Sequence, residues 1–151
     1  MGAKPARESL MEALRDYFQR EGTKLGVDVA FLYGSWASGF PRLESDIDIA
    51  ILFENERASE DLIFEWLNEI SLHLTKSLGS EVNVIPIFSD FRKPMLYYNA
   101  IVRGIPVFIK DYSRYVQWVN EALHQMEDFG IFGRHWQIAL TRNNLEEIKH
   151  A

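Results

Sequence analysis

The sequence predicts a mixed α/β domain: a small mixed β-sheet with helices packed on it. Three observations predict it. Two apolar runs of strand length stand at Val27–Tyr33 and Ile47–Phe53. The segments around them repeat their apolar residues every three or four positions, the helical period. Gly or Pro stands near most of the junctions.

The elements follow in order. Leu10, Leu14, Tyr17, Phe18 and Leu25 recur at helical spacing, so residues 6–24 read as an amphipathic helix ended by Gly26. The first strand is Val27–Tyr33. After Gly34-Ser35, residues 36–38 form a short helical turn, and 39–42 a loop, before the second strand at 47–53. Leu62, Ile63, Trp66, Leu67, Ile70, Leu74 and Leu78 define a second long helix, with Ser59 as N-cap and Gly79 just past its end. Val82 and Val84 alternate with Glu81, Asn83 and Ile85, a third strand closed by Pro86. Pro94 suits the first turn of a helix that runs to Arg103 and stops at Gly104. Ile105–Ile109 is a short strand, and Pro106 assigns it to a sheet edge. Beyond Asp111 the helical period returns in Val116, Val119, Leu123 and Met126; Gly130 and Gly133 interrupt it, and 134–149 reads as a last helix. The chain reads as a single domain over 1–151, with a core at about 6–110 and a helical extension at about 112–150.

Composition narrows the function. With 47% hydrophobic and 13% aromatic residues, 151 residues can build a substantial core. A formal charge of −6 makes no strong case for nucleic acid. There is no cysteine, hence no disulfide framework and no zinc–thiolate site, and the four histidines show no ligand spacing. The first residues carry no apolar secretory stretch, and no run approaches the length of a membrane span. A cytoplasmic location is expected.

Two short motifs carry the chemistry. Gly34-Ser35 closes the first strand, and after ten residues Asp46-Ile47-Asp48 opens the second. Alternate residues of a strand share a face, so the two carboxylates lie about 7 Å apart on one side. They can converge on Mg²⁺, which takes oxygen ligands and binds alongside substrate phosphates. The Gly-Ser turn offers backbone N–H groups to a phosphate.

These residues resemble the nucleotidyltransferase superfamily of the DNA polymerase β type, and most closely its minimal nucleotidyltransferase (MNT) domains. The likeness spans roughly Val27 to Lys110. It implies the nucleotidyltransferase fold, with ATP as donor and Mg²⁺ as cofactor. It assigns triphosphate binding to Gly34 and Ser35, and metal binding and catalysis to Asp46 and Asp48. Family members place a third carboxylate on the strand after the second long helix; the matching position here is Asn83, a neutral amide that cannot act as a base. General-base assistance is typically about 10²–10⁴-fold. Glu81 shares the face of Asn83 but sits about 7 Å away along the strand, and serves only if a bulge or register shift brings it in.

Small MNT proteins act as antitoxins in toxin–antitoxin systems, beside a HEPN-domain ribonuclease toxin whose tyrosine they modify. The resemblance therefore implies AMP transfer from ATP to a hydroxyl of such a partner. Two other readings stay open. One is a catalytically impaired nucleotide-binding module that neutralises its partner by contact, favoured by Asn83. The other is a small-molecule, antibiotic-modifying nucleotidyltransferase, which needs an acceptor pocket. Further residues have plain and functional readings. Arg42 faces either solvent or a triphosphate; Ser45 ties down its loop. Lys93 and Arg103 flank a helix. Trp66 is core, and Trp36 either borders the nucleotide or packs under the sheet. In the C-terminal segment, Tyr112, Tyr115, Trp118, Phe129, Phe132 and Trp136 belong to the core or to a partner interface.

Overall fold

A computed structural model describes residues 7–39, 46–54, 59–90 and 92–127. The elements are α1 (Arg7–Glu21), β1 (Val27–Tyr33), α2 (Ser35–Ser38), β2 (Ile47–Phe53), α3 (Glu60–Leu78), β3 (Val82–Ile87), α4 (Pro94–Ile101) and β4 (Ile105–Ile109). A fifth helix, α5, covers 112–127. Arg42, Ser45, Phe129, Phe132, Trp136, the two glycines at 130 and 133 and the expected helix 134–149 lie outside the described residues.

The four strands form one sheet in the order β3-β2-β1-β4. β1 pairs antiparallel with β2 and β4, and β2 pairs parallel with β3. The α3 crossover makes the parallel pairing possible. Pro106 does stand in an edge strand, β4.

Alternation along β2 divides the core. Ile47, Ile49, Ile51 and Phe53 face α1 and α3, where Leu10, Leu14, Phe18, Ile63, Leu67 and Ile70 are buried. Ala50 and Leu52 face the other way, with Val29 and Phe31 of β1, onto Tyr97, Ala100 and Ile101 of α4 and Trp118 and Ala122 of α5. Asp48 belongs to this second face by the same alternation. Burying the largest of these side chains stabilises the fold by about 1.5–3 kcal/mol each.

The expected caps are in place. Ser59 Oγ accepts from the Leu62 N–H at 3.2 Å, and the Gly79 N–H donates to the Thr75 carbonyl at 3.0 Å. Three boundaries differ from expectation. α1 ends at Glu21, because Gly22 and Leu25 close a turn onto Phe18 and Glu21. α4 ends at Ile101, since the Val102 and Arg103 N–H groups both converge on the Tyr98 carbonyl. β3 continues through Pro86 to Ile87, because the outer edge of an edge strand needs no N–H at that position.

A β-bulge between Val27 and Val29 turns Asp28 inward, where its side chain is 5% exposed. Arg114 Nε of α5 meets its carboxylate at 2.6 Å. This pair ties α5 to the end of the sheet opposite the Gly-Ser turn. Among the described residues, no helix is long and apolar enough to cross a membrane.

Candidate nucleotide and metal site

Tyr33 is the last residue of β1 and pairs in register with Asp48 of β2. Gly34 follows with φ 76 and ψ −152, a backbone conformation that a side chain rarely tolerates. The reason for glycine is close approach. A Cβ built on Gly34 would lie 2.5 Å from Asp48 Oδ2. The turn between β1 and α2 therefore rests directly against one carboxylate of the Asp-Ile-Asp motif.

Ser35 opens α2 and is half-buried. Its carbonyl accepts from Ser38 Oγ at 2.9 Å, so the short helix is closed on itself. In a helix this short, the first N–H groups have no partner within the helix and are available to an acceptor. Arg7 holds the unit from below, donating to the Ala37 carbonyl at 2.9 Å. Trp36 is buried among the residues facing α1 and α3, so it packs under the sheet.

The β2–β3 ladder runs unbroken from Ile47–Val82 to Leu52–Ile87 and sets Asn83 opposite Asp48. Asn83 Nδ2 donates to Asp46 Oδ2 at 3.1 Å. With no bulge or shift in this register, nothing redirects Glu81, whose carbonyl accepts from the Ile47 N–H at 3.0 Å. Asp46, Asp48 and Asn83 thus meet at the ends of two adjacent strands, with Gly34 on the other side of Asp48. No group of three or more His, Cys, Asp or Glu able to hold a metal occurs among the described residues.

The sequence matches the family model described as polymerase beta, nucleotidyltransferase, over residues 12–113. The chain belongs to the polymerase β-type nucleotidyltransferase family. No curated protein matches it. Solved structures share its fold at low identity. A chain of a toxin–antitoxin complex with AMP-PNP superposes at TM-score 0.59 with 16% identity, over 81% of this chain and 97% of that one. A chain of the Shewanella oneidensis complex of a tri-AMPylated HEPN toxin with its MNT antitoxin gives 0.60 and 12%, over 87% and 98%. A chain of the MntA–HepT toxin–antitoxin complex gives 0.54 and 14%, over 90% and 97%. At these identities the likeness is one of fold.

In this nucleotidyltransferase Asp48 is the more buried of the two carboxylates. Burial raises the Asp48 pKa above the usual 3.8, the Asn83 amide opposite it in the ladder lowers it, and the charge of Asp46 raises it again, for a net rise. Asp46 is exposed. Such a pair suits a hard cation. Mg²⁺ is commonly held by one or two carboxylates and completed by substrate phosphates and water, and its charge would offset both the burial of Asp48 and the repulsion from Asp46. The donor set therefore fits Mg²⁺, with Asn83 able to offer a carbonyl oxygen if its amide turns.

Tyr33 has no role assigned from the sequence, and the structure sets it in register with Asp48. Its phenol is pushed up to about 12, first by burial and then by the Asp48 charge. The available signal was its place next to Gly34 at the end of an apolar strand. Of the other candidates, Arg103 is exposed just past α4, Lys93 is the N-cap residue of α4, and Trp66 packs on Phe53 at 5.5 Å between ring centres. Trp118 is 7% exposed and packs on the sheet, so among the described aromatics of the C-terminal segment the exposed one is Tyr112.

Proposed function

We propose that this nucleotidyltransferase acts as an MNT-type antitoxin, transferring AMP from Mg²⁺-ATP to a tyrosine hydroxyl of a HEPN-domain toxin and so neutralising it. The observation that carries the reading is the packing of Gly34 against Asp48, which brings a phosphate-binding turn and a metal ligand into contact. Gly34 and Ser35 would hold the triphosphate through backbone N–H groups. Asp46 and Asp48 would hold Mg²⁺, which neutralises charge on the transferring phosphorus centre and on the leaving group.

The bookkeeping of atoms is simple. The acceptor oxygen forms a bond to the α-phosphorus, the bond to the bridging oxygen breaks, and pyrophosphate leaves. The hydroxyl proton goes to water, because Asn83 cannot take it. The AMPylated HEPN toxin found with an MNT antitoxin in Shewanella oneidensis supports this choice of reaction and partner.

A second reading has its own observation. Asn83 stands where a third acid belongs and spends its amide on Asp46 at 3.1 Å. A module of this kind would bind nucleotide and neutralise its partner by contact alone. One experiment separates the two: incubation with a purified HEPN-domain toxin and ATP labelled at the α-phosphate. Label on the toxin establishes transfer. Inhibition of the toxin without label, and without a need for ATP, establishes neutralisation by contact.

A further inference from the structure

Along the outer edge of β3, one of the described residues offers both an N–H and a carbonyl without a described partner. The Ile47 N–H donates to the Glu81 carbonyl, and the unbroken register with β2 sets the alternation that follows. Asn83, Ile85 and Ile87 turn their backbone groups toward β2, while Val82, Val84 and Pro86 turn theirs outward. At Val82, α3 supplies both partners: Ser71 Oγ donates to the carbonyl at 2.6 Å, and the N–H donates to Thr75 Oγ1 at 3.1 Å. Pro86 offers a carbonyl but no N–H. Val84 is left, among the described residues, with an outward N–H and carbonyl that no described group pairs.

Val84 lies on the floor of a groove of about 660 Å³, walled by Phe64 and Asn68 of α3 and by Lys93 and Leu96 at the start of α4. The groove begins at Asn83, the residue bonded to Asp46. Its lining includes two cations, Arg92 and Lys93, and no carboxylate, in a chain of formal charge −6. Arg92 is engaged, 2.9 Å from Asp90 and stacked 4.1 Å over Phe88. Lys93 has no ion-pair partner among the described residues. Phe64 is 51% exposed on the α3 wall.

We propose that this groove receives the acceptor, as an extended acidic segment of the partner protein. One residue of the segment pairs with Val84, a carboxylate meets Lys93, and the hydroxyl side chain reaches past Asn83 to the two aspartates. The assignment rests on the transfer reading above. Strand addition supplies main-chain hydrogen bonds, and side-chain pockets supply selectivity. With one full open rung and a proline beyond it, the protein is spared the aggregation hazard of a long bare edge. Since Val84 adjoins Asn83, the modified residue lies within about two positions of the one paired with Val84, given about 3.3 Å per extended residue.

The test measures binding, with fluorescein-labelled poly(Glu,Tyr) as the acidic, phenol-bearing probe and fluorescence anisotropy as the readout on the full chain. Saturable binding is expected, while any poly(Lys,Tyr) binding, drawn by the formal charge of −6, should be insensitive to the two groove variants below. Lys93→Glu should weaken it about 10-fold, the size of a reversed charge pair. A carboxylate at the start of α4 suits the helix dipole, so this variant should keep its melting temperature. Phe64→Ala, on the exposed wall, is the second variant, expected to weaken binding about 5-fold. Absence of poly(Glu,Tyr) binding, or binding unchanged in both variants, overturns the proposal. Loss of ATP affinity in Lys93→Glu overturns it too, by giving the groove to the triphosphate. AMP transfer is not read in this assay, so failure of the transfer reading shows separately, as unlabelled toxin beside intact probe binding.

Discussion

Gly34 and Asp48 are in such close contact that a Cβ on the glycine would stand 2.5 Å from the carboxylate oxygen. Two penalties meet at this position, the positive φ of 76 and the collision itself. Gly34→Ala is therefore expected to cost about 1–2 kcal/mol of stability and to push Asp48 out of line with Asp46. Calorimetry should find Mg²⁺-ATP binding weakened at least about 10-fold, equivalent to 1.4 kcal/mol. Unchanged binding in a folded variant would separate the turn from the nucleotide site.

The carboxylates themselves are tested as a pair. Asp46→Ala/Asp48→Ala should fold and lose Mg²⁺-dependent ATP binding in calorimetry. Removal of Mg²⁺ with EDTA should have the same effect on the unmodified chain. Binding retained by the double variant would place the nucleotide elsewhere.

Asn83→Asp restores an acid at the third position. If that absence limits the chemistry, the rate of AMP transfer should rise by about 10-fold or more, within the range for base assistance. The same change sets a third carboxylate beside Asp46 and Asp48. The metal-free variant should thus melt below the parent, and Mg²⁺ should recover most of the loss. A thermal melt with and without Mg²⁺ reads this independently of any acceptor. Loss of transfer in Glu81→Gln, with no gain in Asn83→Asp, would reassign the role to Glu81.

Asp48 predicts the pH dependence of the metal-free protein. Its folded pKa lies above the unfolded value near 3.8, so the folded state holds the proton more tightly. Ionised Asp48 therefore costs stability at neutral pH, and the cost fades as the pH falls through the raised folded value. Because the side chain is half-exposed, solvent screening keeps the effect small. Asp48→Asn should melt about 2 °C higher than the parent at neutral pH, with the difference closing below about pH 4. A difference that grows on acidification would contradict the sign.

Arg114 anchors α5 through the buried carboxylate of Asp28, 2.6 Å away. Arg114→Met leaves that carboxylate without its partner and should cost about 3 kcal/mol in a denaturant melt. Asp28→Asn/Arg114→Met should recover a large part of the loss. Equal destabilisation of single and double variants would show that the guanidinium acts by packing rather than by charge.

What the sequence determined by itself was local. The strand runs at 27–33 and 47–53, the Ser59 and Gly79 caps and the edge position of β4 follow from residues within a few positions of one another. Side-chain period, cap chemistry and the missing N–H of proline all act at that range. The Gly-Ser and Asp-Ile-Asp motifs were legible for the same reason, whereas Asn83 stood out only through the family resemblance. Tertiary structure decided which of these meet. The β2–β3 register sets Asn83 opposite Asp48 and its amide on Asp46, 37 positions back in the chain. Packing buried Trp118, which the sequence left between core and interface, and carried β3 through Pro86. Ser71 and Thr75 of α3 cover Val82 and Pro86 carries no N–H, which leaves Val84 as the one full open rung among the described residues. Such contacts depend on strand pairing and helix placement over the whole chain, where closing a long loop must be repaid by burial elsewhere, and no local period records the outcome.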